Sequence, residues 1–196
     1  MTFIKKCKII LDTILKRKKL CYDNSENRKE VSNVAKYNKK MESFARDILV
    51  KNDMLKLPVN LIKIADENNI EVYYNELPDG ISGAIRYNQE KNVFQILIEK
   101  RDPEYRKRFT LAHELSHFFL QGKNLSDTKA IHYDVLYRGQ RNDIEREADY
   151  LAGALLMEES ILKRLFKINP SIKELSEIFN VSESAVTVRL MQLKLI

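Results

Sequence analysis

Thr110-Leu111-Ala112-His113-Glu114-Leu115-Ser116-His117-Phe118-Phe119 is the stretch that decides how the chain folds. His113 and His117 are four apart, so in a helix they share a face, one turn from each other. Two imidazoles held that way can both reach one tetrahedral zinc ion, and Glu114 between them can reach a water at the same centre. The bare pattern also arises by chance on helices where histidines merely face water. Here the flanks are uncharged, with Leu111, Ala112, Leu115, Ser116 and Phe118 around it. A His-Glu-His stripe inside such a helix is costly unless metal or hydrogen bonds satisfy it.

A catalytic zinc site needs a third protein ligand and a fourth position open to water. Downstream, Glu145-Arg146-Glu147-Ala148-Asp149 places Glu145 and Asp149 on one face of a following helix. Glu145 is the expected third ligand. Asp149 is then placed to bond the free ring nitrogen of His113 or His117, fixing its tautomer. His132, the last of the three histidines in the chain, is the alternative third ligand. Glu114 is expected to act as general base toward water and then as acid toward the leaving amine. The oxyanion needs a further donor, and His132, Tyr133, Tyr137 and Arg138 are the candidates.

Outside the motif, composition is that of an ordinary globular chain: 196 residues, 44% hydrophobic and 32% charged. Cys7 and Cys21 form neither a disulfide framework nor a zinc knuckle, which leaves His and carboxylate as ligands and suits a reducing, cytoplasmic setting. The net charge of +6 is unevenly spread. Residues 1–40 carry 12 Lys and Arg against 4 acids, whereas 41–196 carry 22 against 24. The basic character belongs to an N-terminal arm, and the rest has no general attraction to nucleic acid. No apolar run is long enough to span a bilayer. The arm has an amphipathic helical stripe through Phe3, Ile4, Cys7, Ile10, Leu11, Ile14 and Leu15, so it could pack on the body or lie on an anionic surface.

Periodicity predicts helices over 41–53 and from Pro58, strands over 70–74, 81–87 and 92–98, and the motif helix from Asp102-Pro103 to Leu120, stopped by Gly122. Residues 123–140 are irregular. Helices follow over 141–157 and 159–167, and two more flank Asn180-Val181-Ser182. The expected fold class is α+β, with a small antiparallel three-stranded sheet, a zincin-like HExxH helix and a helical C-terminal half. The expected divisions are an arm and linker over 1–40, a metallopeptidase domain over 41–168 and a helix-turn-helix-like subdomain over 169–196.

Residues 110–120, the block 145–149 and Leu155-Leu156-Met157 together resemble the ImmA/IrrE family of zinc metallo-endopeptidases. The resemblance runs from about Met41 to Ile196. It implies one zinc ion held by His113, His117 and Glu145, with Glu114 as catalytic base and Asp149 at the family's Asp or Asn. Ser116 stands where Gly is usual, and Glu158 where Pro often follows the Leu-Leu-Met block. The resemblance also implies a protein substrate, a helix-turn-helix repressor cleaved to relieve repression in a mobile element or stress response. The substrate is expected to add as a strand along residues 92–98.

Two other readings compete. The C-terminal unit has helix-turn-helix rhythm, with Ser176, Asn180 and Val186 in the expected places, which suits a DNA-binding regulator. From Ser182 onward, however, only Arg189 and Lys194 are cations, too few to track a phosphate backbone, so direct DNA binding is not expected. A non-catalytic antirepressor, acting by binding alone, is the remaining alternative.

Overall fold

The computed structural model describes residues 25–52, 55–127, 132–135 and 143–196, with 25–37, 122–127 and 132–135 described by backbone alone. The expected amphipathic helix within the first twenty residues, both cysteines, Tyr137 and Arg138 lie outside the described residues. Packing divides the chain at Lys40/Met41. The unit from Met41 to Ile196 contains the core and the site.

The first described helix, α1 (Ser25–Lys51), is longer than the 41–53 expected, because the polar stretch ahead of Met41 is helical too. From Met41 it turns Ala45, Ile48 and Leu49 into the core. Pro58 does not open the next helix. That helix, α2 (Leu61–Glu67), starts after Asn60, whose side chain accepts from the Lys63 amide. An Asn cap of this kind stabilises a helix by about 1 kcal/mol.

Three strands follow, β1 (Ile70–Asn75), β2 (Ile81–Asn88) and β3 (Val93–Glu99). The motif helix α3 spans Glu104–Asp127, running through Gly122 where a stop was expected. A fourth strand, β4 (His132–Val135), lies in the segment that periodicity left irregular. The C-terminal half is helical: α4 (Asp143–Leu156), α5 (Glu159–Ile168), α6 (Ile172–Phe179) and α7 (Glu183–Gln192). The fold is α+β.

The sheet departs from the antiparallel, three-stranded expectation. Its order is β1-β3-β2-β4, and it is mixed: β2 is antiparallel to β3 and β4, while β1 runs parallel to β3. Gly80, at φ 86, closes a turn in which the Ile81 amide bonds Pro78 O, yet the turn does not pair the strands it joins. The chain instead crosses the end of β3. Glu99 holds it there, accepting from the Leu77 amide at 2.8 Å while Arg101 donates to Leu77 O and to Glu99. Because β3 is hydrogen-bonded on both sides, a substrate strand cannot add along residues 92–98 as expected; the edges of the described sheet are β1 and β4.

The Glu99 clasp has a pH signature. Hydrogen bonds from the Arg101 side chain and from the backbone amides of Arg101 and Leu77 lower its pKa to about 2. Stability tied to this group is therefore complete above the unfolded value near 4.5 and is lost as pH falls toward 2. Urea midpoints of Glu99→Gln are expected to change less than wild type between those two pH values. Identical pH slopes would remove Glu99 as a contributor.

Ile64, Ile85, Ile96, Ile98, Leu111, Leu115, Leu151, Leu155, Phe179 and Leu190 belong to one hydrophobic core shared by helices and sheet. Helix α3 packs on β2 and β3 on one side and on α4 on the other. That sandwich positions the candidate site.

Candidate metal centre

Helix α3 turns His113, Glu114 and His117 inward; all three are buried. One turn of helix separates the imidazoles, and their Nε2 atoms lie 3.0 Å apart. From α4, Glu145 brings Oε2 to 3.3 Å of His113 Nε2 and Oε1 to 3.5 Å of His117 Nε2. One donor atom from each residue lies within 4.8 Å of the others, a group that could hold a metal ion. A tetrahedral ion with bonds of about 2.1 Å has neighbouring ligand atoms about 3.4 Å apart. The two Nε2 atoms are 3.0 Å apart and each has a different Glu145 oxygen, at 3.3 and 3.5 Å, close to that edge, and the donor set of two imidazoles and one carboxylate suits zinc. The residues fit the group.

Behind the donors, Asp149 Oδ1 lies 3.1 Å from His113 Nδ1. Of the two rings left open by spacing, Asp149 therefore serves His113. With the proton on Nδ1, the Nε2 lone pair points at the centre. Without an ion, hydrogen bonds from His113 and then His117 draw the Glu145 carboxyl well below the usual carboxylate range, and a bound ion would take the place of those Nε2 protons. Glu145 is thus an anion at neutral pH, the state a ligand requires.

Glu114 is held against the sheet. A Cβ built on Gly83 of β2 would come within 2.4 Å of Thr110 Cγ2 and 3.0 Å of Glu114 Oε1. Only glycine lets strand and helix approach this closely. Sequence reading did not single out Gly83. A lone glycine inside a strand does signal close backbone approach, so the cue was present.

His132 and Tyr133 lie on β4, opposite Ile85 and Ala84, where backbone alone is described. Ser116 is accommodated at the usual glycine by donating to Ala112 O at 2.7 Å, fully buried. Glu158 replaces the usual Pro and caps α5, accepting from the Ile161 amide while Arg46 of α1 donates to it at 2.8 Å. Arg189 of α7 is buried and donates to both carboxylate oxygens of Glu42 in α1, at 2.8 and 2.6 Å. Tyr150 of α4 adds its hydroxyl to Glu42 at 2.7 Å. The buried environment and the adjacent Glu42 push the Tyr150 phenol upward.

The family model for the IrrE N-terminal-like domain of peptidase M78 matches residues 65–191, which includes both site helices. The chain belongs to this family. Membership makes it metallopeptidase-like, in agreement with the His-His-Glu group. No curated protein sequence matches the M78 chain. Among solved structures, it is similar to a Mycobacterium tuberculosis transcriptional regulator at 19% identity and a TM-score of 0.56. That likeness covers 77% of this chain and 46% of the regulator, so the M78 chain spans less than half of its length. At this identity the likeness shows a shared fold. No helix among the described residues is long and apolar enough to cross a membrane.

Proposed function

We propose that the chain is a zinc-dependent metallo-endopeptidase that cleaves a partner protein, a helix-turn-helix transcriptional repressor, and so relieves repression. The observation that carries this reading is the convergence of His113, His117 and Glu145 on one point, with Asp149 behind His113. Those three side chains would hold the ion, and Asp149 would keep the His113 tautomer that directs Nε2 at it. A zinc ion there supplies Lewis acidity, polarising the scissile carbonyl and acidifying water. Glu114 takes a proton from the attacking water and delivers it to the departing amine nitrogen. Its burial against Gly83 restricts the freedom of the carboxylate.

For the substrate, the β4 edge is favoured over β1. β4 pairs directly with β2, whose Gly83 meets Glu114, so a strand added there would lie two strands from that glycine, against three for one added at β1. The oxyanion donor is sought among His132, Tyr133, Tyr137 and Arg138, the first two on that edge.

Arg189, one of the two cations from Ser182 onward, is turned inward onto Glu42, while Val188 and Met191 on the same helix are exposed. An apolar outer face suits contact with protein better than with phosphate. The unit over 169–196 is accordingly read as a packing or substrate-recognition element, with direct DNA binding not part of the activity. Co-expression with a repressor encoded beside the gene is the experiment. Site-specific cleavage of the repressor is expected, abolished by Glu145→Ala; an intact repressor counts against the proposal.

A further inference from the structure

We infer that Gln121 is the positioning residue for His117, the counterpart of Asp149 for His113; this rests on the metal-centre reading above. Gln121 is one helical turn beyond His117 on α3, half-buried, with its side-chain amide nitrogen 3.5 Å from His117 Nδ1. His117 Nε2 faces His113 Nε2 and Glu145 Oε1, at 3.0 and 3.5 Å. For that nitrogen to offer a lone pair to a cation, the ring proton must sit on Nδ1, which is then a donor. A half-turn of the Gln121 amide presents Oε1 to that donor, and an amide oxygen accepts where the amide nitrogen cannot.

The two rings are therefore oriented by unlike groups. His113 Nδ1 faces a carboxylate, which raises the basicity of its ligand nitrogen, whereas His117 Nδ1 faces a neutral amide, which fixes the tautomer with less electronic push. The same i, i+4 spacing that pairs His113 with His117 pairs His117 with Gln121, so three consecutive turns of α3 contribute to one centre.

Zinc affinity of the full chain, measured by competition with a chromogenic chelator, tests this with two substitutions. Gln121→Leu removes the acceptor at similar volume and is expected to weaken zinc binding about tenfold. Gln121→Glu keeps an acceptor and adds charge, and is expected to bind zinc at least as tightly as wild type. Thermal midpoints of the zinc-free proteins report any packing defect separately. An affinity for Gln121→Leu within about twofold of wild type would overturn the inference, as would equal losses in both variants, since outer ligands typically matter by 10- to 100-fold. Wild-type protein that takes up no zinc would overturn the metal reading itself, an outcome distinct from normal wild-type binding with an indifferent Gln121→Leu.

Discussion

Glu114→Gln is expected to retain zinc and lose peptide hydrolysis by about 10²- to 10⁴-fold, the usual worth of a positioned acid–base group. Gln matches Glu in shape but cannot take a proton from water or return one to the amine. The substitution keeps the contact with Gly83, since the side chain has the same length, so the fold and the His113–His117–Glu145 group are left as they are. Repressor cleavage in co-expressing cells should disappear while metal content stays level with wild type. Should the variant still relieve repression with the repressor intact, binding alone is the mechanism and the antirepressor alternative gains. Undiminished cleavage would remove Glu114 from the chemistry.

Arg189→Met is expected to lower stability by about 3–5 kcal/mol, because it leaves Glu42 as an uncompensated buried charge. A typical domain has only about 5–15 kcal/mol of stability, so this one substitution threatens the fold. The guanidinium meets both Glu42 oxygens, donates to Met157 O at 3.2 Å and lies over the Tyr150 ring at 5.4 Å. It thereby ties α7 to α1, to α4 and to the α4–α5 junction. Replacing both partners, Glu42→Leu with Arg189→Met, should restore most of the loss, as buried pairs often exchange for apolar ones at little net cost. Urea unfolding of the single and double variants measures this. A loss below about 1 kcal/mol for Arg189→Met would place the pair among weak surface bridges.

Local spacing carried the site. His113, His117, Glu145 and Asp149 are pairs at i, i+4 on two helices, and helix geometry alone places each pair on a face. What spacing left open was which ring Asp149 serves, a question of how α4 packs on α3. The existence of β1, β2 and β3 was legible from alternation and from Asn and Gly at the turns; that of β4, inside the segment read as irregular, was not. Nor was strand order. Pro78-Asp79-Gly80 reads as a turn, but the Glu99–Arg101 clasp pins the crossing segment beyond the end of β3, and β1 lands parallel to it. Gly122 reads as a stop. Yet a glycine costs a helix only about 1 kcal/mol, which the packing of α3 on both sheet and α4 offsets. Glu42 and Arg189 are 147 residues apart and carry no local signal at all.

Every step proposed for this chain depends on the His113–His117–Glu145 group holding zinc. Metal analysis of the purified full chain is the most direct measurement. One zinc per chain, lost in His113→Ala and in Glu145→Ala, is the expected result. A chain that purifies without metal and takes up none when zinc is supplied, or one whose zinc survives both substitutions, would contradict the assignment of this centre.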